Sequence, residues 1–236
     1  MGRTLCLRLV EPELLDSLPV EDAQAIASRR DLVRVNAVMF QSAIMARQLS
    51  ANLEDKPLRL LELGAGDGRF SLSVARRLAR RWQNVDLVML DRADVVKVEV
   101  KLALAALGWR VQTDVVDIFD WIQRPDTGRF DAISANLFLH HFTDRQLRLL
   151  LAAMARRTAV FVATEPRRNT FALWSSAWLR VLGANAVTLH DAAASVRAGF
   201  ADKELSRLWP TDTGMTLQEQ SSGPFSHVFV ARAAVR

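Results

Sequence analysis

The sequence has one cysteine, Cys6, and no tyrosine among its 236 residues. A lone cysteine excludes an internal disulfide, so we expect a protein of the reducing cytoplasm. The lack of tyrosine removes the phenol side chain from the candidate catalytic groups. No run of about 18 apolar residues occurs, so no membrane span is expected. Residues 1–7 show neither the apolar core nor the cleavage site of a signal peptide.

Composition and charge narrow the class of protein further. Half of the residues are hydrophobic, which is typical of a globular chain, and the length fits one domain with or without a helical appendage. The formal net charge is +5, and much of the excess comes from arginines scattered along predicted helices. Because no long basic run contains interleaved aromatic residues, we interpret them as a solvated face and do not expect a nucleic-acid partner.

The most informative stretch is an apolar run that ends in three alternate glycines, Gly64, Gly66 and Gly68. A helical pattern starts directly afterwards at Phe70, which predicts a buried strand, a tight turn and a helix N-terminus. Glycine permits positive φ and close approach of a ligand, and a helix start presents unpaired N–H groups. A dinucleotide turn of the G-x-G-x-x-G type would need a glycine where Arg69 stands. The alternative is a plain structural turn.

An acid precedes these glycines, and the pattern Glu-x-Gly-x-Gly-x-Gly resembles the first motif of class I S-adenosylmethionine (AdoMet)-dependent methyltransferases. A carboxylate at the strand end suits the cationic amino group of AdoMet, whereas it would repel a pyrophosphate. The resemblance implies a Rossmann-like three-layer α/β sandwich, with a seven-stranded, mostly parallel sheet that ends in an antiparallel hairpin. It also implies that five residues of the turn bind AdoMet: Glu62, Gly64, Ala65, Gly66 and Gly68.

A second apolar run, residues 85–90, ends at Asp91, one strand–helix–strand unit after the glycine turn. A carboxylate at that strand tip can accept hydrogen bonds from both ribose hydroxyls. Alternatively, Asp91 is only the N-cap of a helix predicted over residues 93–107. The neighbouring Arg92 is predicted to flank the adenine.

Acids also follow the third predicted strand, residues 109–113. In the resembled family, one acid here accepts the adenine amino group and the next residue packs on the ring. Asp117 followed by Ile118 fits this spacing, and Asp114 is the alternative.

Residues 130–142 begin as an alternating strand and end in a polar cluster that contains Asn136, Leu137, His140 and His141. Ligands bind at the carboxyl ends of strands in open α/β sheets. The resemblance implies AdoMet contacts from the first two of these residues and places the histidines near the donor sulfur. A Leu-His-His turn at this point resembles the branch of the family that methylates small molecules. Either histidine could deprotonate or orient the acceptor, or one of them could serve packing alone.

Residues 164–209 follow the fifth strand, where this architecture commonly carries the wall of the substrate pocket. A helix is predicted over residues 170–182. The predicted substrate contacts are Arg167, Arg168, Trp174 and Arg197, and His190 is a third candidate catalytic residue. The alternative for His190 and Arg197 is an ordinary surface role.

The predicted organisation is an N-terminal helical cap or lid over residues 1–57 and an AdoMet-binding methyltransferase domain over residues 58–236. The cap includes one long helix, Asp31 to Leu53, with Asp31 as its N-cap. These helices could equally be scaffold alone.

The sequence therefore predicts a methyltransferase that uses AdoMet and releases S-adenosylhomocysteine. The expected acceptor is a small aromatic, phenolic or quinone-like natural product, and the chain is compatible with a homodimer. No Cys/His cluster has metal-ligand spacing, so no metal is expected. Two alternatives remain, an RNA or protein methyltransferase that uses the basic surface and a non-catalytic AdoMet-fold subunit.

Overall fold

The apolar runs of the sequence form the central sheet of the molecule. The computed structural model describes residues 5, 7–19, 21–53, 59–125, 128–176, 179 and 183–234. Within these ranges, seven strands form one sheet: β1 (Arg59–Leu63), β2 (Val85–Asp91), β3 (Trp109–Val115), β4 (Phe130–Asn136), β5 (Thr158–Pro166), β6 (Met215–Ser222) and β7 (Ser226–Ala233).

The strand order is β3-β2-β1-β4-β5-β7-β6. The first five strands are parallel to their neighbours, and β7 pairs antiparallel with both β5 and β6. This confirms the predicted seven-stranded, mostly parallel sheet with a final antiparallel hairpin. Strands β1 to β3 are added in one direction across the sheet, and from β4 on the strands are added on the opposite side of β1. Ligands of open α/β sheets bind at such a switch point, at the carboxyl ends of the strands.

Helices cover both faces of the sheet. In chain order they are α1 (Leu14–Ser17), α2 (Ala23–Val38), α3 (Gln41–Asn52), α4 (Arg69–Leu78), α5 (Val98–Ala105), α6 (Ile118–Gln123), α7 (Asp144–Arg157), α8 (Thr170–Ser176), α9 (Ala186–Ala198) and α10 (Glu204–Leu208). Short 3-10 turns lie at Leu139–His141 and Thr211–Thr213. None of the helices in the described ranges has the length and apolar character needed to span a bilayer.

Two apolar clusters join these layers. One cluster packs α6, α7 and α10 on one face of the sheet and includes Trp121, Leu150 and Leu205. The other packs α3, α4 and α5 on the opposite face and includes Met45 and Leu72. Each buried leucine or methionine contributes about 1.5–3 kcal/mol. The α3 helix is therefore part of the core, although it falls within the predicted cap.

The single helix predicted from Asp31 to Leu53 is wrong, because α2 and α3 replace it. Phe40 adopts a left-handed conformation (φ 54°), through which an α-helix does not continue. Asp31 lies in the middle of α2, and Asp22 is the N-cap of that helix. The Asp31 carboxylate accepts a hydrogen bond from the hydroxyl of Thr188, which ties α2 to α9.

Two further helix predictions need correction. The helix predicted over residues 93–107 is the shorter α5, and its N-cap is Lys97 instead of Asp91. The N–H of Ala93 binds the Asp91 carboxylate at 3.0 Å, which keeps this segment in a turn. The helix predicted over residues 170–182 is described as α8 up to Ser176. Its positions 177, 178 and 180–182 lie outside the described residues.

Candidate active site

The turn between β1 and α4 has the backbone conformation that its glycines predict. Gly64, Gly66 and Gly68 all have positive φ, at 66°, 54° and 77°. A Cβ at Gly64 would lie 2.3 Å from Cδ2 of Phe138, whereas a Cβ at Gly66 would meet no atom within 4 Å. Gly64 thus permits close packing against the turn after β4. At Gly66 the backbone borders open space that a ligand can enter.

Glu62 brings a buried carboxyl group to this end of β1. The residue is only 4% exposed. Burial raises its pKa well above the ordinary value, and the charges of Asp91 and Asp67 add to the effect. A cationic ligand group placed beside Glu62 would reverse this balance, because opposite charge favours the ionised carboxyl. The site therefore suits a ligand with positive charge.

Asp91 connects the glycine turn to the end of β2. Its Oδ2 accepts the N–H of Gly66 at 2.8 Å, and its Oδ1 accepts the N–H of Ala93 at 3.0 Å. Each carboxylate oxygen has a second lone pair, so Asp91 can hold the turn and still accept hydroxyl groups. Arg92, next to it, is exposed.

The structure separates the two acids that compete for the adenine role. Asp114 binds Arg124 in an ion pair of 2.7 Å. Asp117 is exposed and caps α6 through a hydrogen bond from the N–H of Phe119 at 2.7 Å. Ile118 is buried in the apolar cluster with α7. Asp117 is therefore more accessible to a ligand than Asp114, which is only partly exposed.

Asn136 and Leu137 form the end of β4. The side chain of Asn136 donates to Oδ1 of Asn36 at 3.1 Å and accepts from the hydroxyl of Thr164 at 2.8 Å. Leu137 has positive φ (50°) and donates its N–H to the carbonyl of Thr164 at 2.9 Å. Since Asn36 belongs to α2, that helix lies over the carboxyl end of β4.

His140 is the most constrained of the candidate catalytic residues. It is 2% exposed, and its Nδ1 lies 2.8 Å from Oε2 of Glu165. Oε1 of Glu165 also accepts the N–H groups of Phe138 at 3.1 Å and Leu139 at 2.8 Å. A carboxylate only accepts hydrogen bonds, so this contact places the proton on Nδ1. One buried carboxylate thereby fixes both the backbone of the turn and the orientation of the imidazole.

Glu13 occupies the other side of the His140 ring. Its Oε1 lies 3.3 Å from Nε2 of His140 and also accepts the hydroxyl of Ser195. Burial lowers the pKa of His140, but the hydrogen bonds and charges of Glu13 and Glu165 outweigh it and raise the value to about 9. Burial raises the pKa of Glu13, but His140, His141 and Ser195 lower it to about 2.

His141 stacks on its neighbour, with a ring centroid 4.3 Å from that of His140 and an interplanar angle of 32°. One potential ligand atom from each of Glu13, His140 and His141 lies within 4.8 Å of the other two. The expectation of no metal centre considered spacing along the chain only, and the fold brings Glu13 to the histidines from far away in the sequence.

Arg8 holds the N-terminal segment against the histidine turn. Its guanidinium donates to the carbonyls of Ala198 at 2.9 Å and Phe142 at 3.0 Å, and it forms an ion pair with Asp144 at 2.7 Å. It also lies over the ring of Phe200 at 4.2 Å. The segment around Glu13 is therefore anchored to the turn on one side and to α9 on the other.

The remaining predicted residues occupy other parts of the 164–209 segment. His190 pairs with Asp191 at 3.0 Å, and its side chain is 47% exposed. Arg197 pairs with Glu11 at 3.3 Å. Trp174 is 62% exposed on α8.

The two neighbouring arginines after β5 differ in their surroundings. Arg167 is partly exposed and donates to the carbonyl of Gly223 in the β6–β7 turn at 3.2 Å. Arg168 has a side chain only 2% exposed, which donates to Glu204 at 2.6 and 2.9 Å and to the carbonyl of Gly199 at 2.6 Å. Arg168 therefore joins three segments of the fold.

Three residues of the site were missed from the sequence: Glu165, Glu13 and Asn36. A signal existed for Glu165, because it ends the strand beside β4 and must therefore lie near the histidine turn. Nothing in the sequence marks the other two, since both come from helical segments that reach the site only through tertiary packing.

Buried polar atoms at the starts of α4 and α3 also matter for a ligand. Ser71 Oγ, in the first turn of α4, and both amide atoms of Gln41, at the start of α3, have no hydrogen-bond partner among the described residues. Buried polar groups are rarely left without partners. Together with Glu62 and the open space at Gly66, they fit a polar, cationic ligand.

Comparisons with known proteins identify the class to which this site belongs. The strand order and the glycine turn are those of the Rossmann-like fold of class I methyltransferases. Residues 60–159 match the sequence model of a family described as a methyltransferase domain. This segment of the chain is therefore similar to methyltransferase domains. A search of curated proteins found no match.

Solved structures show the same fold at low sequence identity. Magnesium protoporphyrin IX methyltransferase from Synechocystis, with bound S-adenosylhomocysteine, has a TM-score of 0.54 and 14% identity, with 83% of each chain covered. An O-methyltransferase family protein from Burkholderia thailandensis has a TM-score of 0.57 and 17% identity over 93% of this chain. A provisionally assigned O-methyltransferase from Nostoc punctiforme has a TM-score of 0.58 and 17% identity over 87% of this chain. The present chain spans 64% and 59% of the last two proteins.

Proposed function

We propose that this protein transfers the methyl group of AdoMet to a hydroxyl of a small phenolic or quinone-like acceptor. The observation that carries the proposal is the buried His140–Glu165 pair at the carboxyl end of β4. It lies in the turn whose Phe138 ring packs against Gly64 of the cofactor-type turn. A potential base is thus adjacent to a potential donor site.

The glycine turn and its acids would hold the cofactor. Glu62 suits the cationic amino group, because an added positive charge would relieve its raised pKa. Asp91 suits the ribose hydroxyls, with Arg92 beside the adenine. Asp117 suits the adenine amino group. We assign the contact with the adenine ring to the start of α6, where Ile118 lies. When bound, AdoMet supplies a sulfonium methyl group that is already activated for displacement.

The protein must then align the acceptor and remove its proton. As the O–CH₃ bond forms, the S–CH₃ bond breaks to give S-adenosylhomocysteine, and the hydroxyl proton passes to a base. We assign this role to His140, or to His141 beside it, because both rings lie in the turn after β4. Glu165 holds Nδ1 of His140 and Glu13 faces Nε2, so His140 can take a proton at Nε2 only in its neutral form, which its pKa of about 9 makes the main form only at alkaline pH. Two carboxylates stabilise the resulting imidazolium.

The N-terminal helices and α9 would complete the acceptor pocket. In this arrangement residues 1–57 act as a cap only through α1 and α2, since α3 belongs to the core. Arg167, Arg197 and Trp174 are the exposed or partly exposed candidates for acceptor contacts, with His190 as a second-line base. We assign Arg168 a structural role, because its guanidinium is fully engaged by Glu204 and backbone carbonyls.

A methyl-transfer assay with radiolabelled AdoMet tests the proposal. The probes are simple phenols, catechols and hydroquinones, with their fully methylated ethers as matched non-acceptors. We expect labelled methyl ethers from at least one hydroxylated ring and none from the ethers. In His141→Ala and His140→Gln variants, turnover should fall about 100-fold while AdoMet affinity stays near that of the wild type. Transfer to RNA or protein, with no transfer to any phenol, would contradict the proposed acceptor class.

A further inference from the structure

The contact between Glu13 and His140 has the separation expected of two ligands on one metal ion. Oε1 of Glu13 and Nε2 of His140 are 3.3 Å apart. Zinc bonds to carboxylate oxygen and imidazole nitrogen are about 2.0–2.1 Å, so neighbouring ligands of a tetrahedral ion lie about 3.3 Å apart. His141 places a third donor atom within 4.8 Å of both.

The surroundings of His140 match those of a metal-bound histidine. A ligating histidine commonly donates its second ring N–H to a carboxylate, which fixes the tautomer and makes the free nitrogen more basic. Glu165 is that carboxylate here, at 2.8 Å from Nδ1, and it is completely buried. Glu165 also accepts hydrogen bonds from the N–H groups of Phe138 and Leu139, which helps to fix the direction in which Nε2 of His140 points. The carboxylate that would orient a metal-binding His140 is therefore already in place.

The local charge is also suitable for a cation. Glu13 supplies a carboxylate oxygen beside two imidazole rings, a donor set that binds a divalent cation once its members are deprotonated. Ser195 donates its hydroxyl to the same oxygen of Glu13, which orients that carboxylate. The Glu13 side chain is held in place because Arg8 anchors the segment that carries it.

We propose that Glu13, His140 and His141 form a binding site for one divalent transition-metal ion of the zinc type. Two imidazoles and one carboxylate are the donor set of many open sites, in which three protein ligands leave at least one position for water or substrate. An oxygen ligand at that position has a lowered pKa. A hydroxylated acceptor bound there would lose its proton more easily, so in the metal-loaded protein the ion would take over the role proposed above for the histidine base. Metal binding itself does not depend on the proposed methyl transfer.

The competing explanation is a direct ion pair between Glu13 and an imidazolium at His140, with no metal. Titration of chelator-treated, dialysed full-length protein with Co²⁺ separates the two. Four-coordinate Co²⁺ bound to nitrogen and oxygen gives intense visible d–d absorption, and Zn²⁺ should displace it. We expect saturation at one ion per chain, and at least a tenfold loss of affinity in His141→Ala and in Glu13→Gln.

The chain offers matched controls for both variants. His190→Ala removes another partly exposed histidine that lies beside a carboxylate, and Glu11→Gln removes a second acid from the same N-terminal segment. Both controls should bind Co²⁺ like the wild type, and circular dichroism should show all four variants folded. Absence of saturable one-to-one binding, or unchanged binding in His141→Ala, overturns the proposal. AdoMet titration of the metal-free protein is a separate readout, so failure of the cofactor site and of the metal site are distinguishable.

Discussion

Glu165 at the end of β5 lies 2.8 Å from Nδ1 of His140 in the turn after β4, and it also accepts three backbone N–H groups of that turn. One carboxylate thus determines the orientation of the candidate base and the shape of the loop that carries it. The pair exists because β4 and β5 are parallel neighbours, so their carboxyl ends meet.

Replacement of this carboxylate should damage turnover more than cofactor binding. In Glu165→Gln, one of the two acceptor oxygens becomes an NH₂ donor, so either the Nδ1 proton of His140 or the N–H groups of Phe138 and Leu139 lose their acceptor. We expect kcat to fall about 100-fold, with little change in AdoMet affinity and a stability loss of about 1–3 kcal/mol. Steady-state kinetics, calorimetry and thermal unfolding measure the three quantities.

The hairpin provides a control for that variant. Glu219 forms a comparable buried pair with His227, at 2.8 Å, where no predicted catalytic residue lies. Glu219→Gln should lower stability by a similar amount and leave kcat within about twofold of wild type. Equal kcat losses in the two variants would assign Glu165 a purely structural role.

Gly66 and Gly214, two of the glycines that border open space, allow the effect of ligand approach to be measured separately from that of backbone strain. Gly66 and Gly214 have similar φ, 54° and 63°, and an added Cβ meets no atom within 4 Å at either. Alanine should therefore cost each site about 1–2 kcal/mol of stability. Only Gly66→Ala should weaken AdoMet binding, by at least tenfold, because its methyl group would occupy the ligand space. Equal affinities in the two variants would argue against AdoMet contact at Gly66.

AdoMet affinity should increase with pH. The pKa of Glu62 is raised in the free protein, so the group must lose a proton to pair with the ammonium of AdoMet. Binding therefore releases a proton, and affinity falls as pH drops below the raised pKa. Calorimetry in two buffers of different ionisation enthalpy measures the release. Glu62→Gln should abolish it and Glu99→Gln, an exposed control on α5, should retain it. A pH-independent wild type contradicts the assignment.

Arg168 should prove structural, in contrast to its predicted substrate role. Arg168→Gln leaves Glu204 and buried carbonyls without their partner. Because Glu204 keeps a side-chain exposure of 20%, we expect a loss of about 3 kcal/mol, the lower end for a broken buried pair. A raised KM for the acceptor, with an unchanged unfolding temperature, would instead support the predicted substrate role of Arg168.

The pH dependence of this pair has a definite sign. Burial raises the pKa of Glu204, but hydrogen bonds from Arg168 and Ala201 outweigh it, so the net pKa is lowered. The pair therefore stabilises the protein above the unfolded pKa of about 4.5 and loses this contribution as pH falls through the folded value. Thermal unfolding of wild type and Arg168→Gln should converge in acid.

The sequence signals for the cofactor half of the proposed site are local. The apolar run, the glycines and the strand-end acids are close together in sequence, and parallel strands bring their ends to one edge. The acceptor half depends on contacts that no spacing encodes. Glu13 reaches His140 through tertiary contacts: Arg8 binds the carbonyls of Ala198 and Phe142, and Asp191 accepts the N–H groups of Leu14 and Leu15.

The predicted helix boundaries were wrong for a similar reason, since tertiary contacts decide where these helices begin and end. The helix from Asp31 to Leu53 has a continuous apolar face in sequence, yet Phe40 turns left-handed and divides it. Asp31 looked like a cap because aspartate favours that position. Tertiary hydrogen bonds from α9 hold it inside α2 instead.

The most direct test is calorimetric titration of the purified protein with AdoMet, S-adenosylhomocysteine and NADH. We predict micromolar binding of the first two and none of NADH. Asp91→Ala should lose at least tenfold in affinity, because the carboxylate both holds Gly66 and meets the ribose. Asp94→Ala, an exposed neighbour, should bind normally. Binding of NADH, or no binding of either AdoMet or its product, would contradict the assignment of the glycine turn as an AdoMet site.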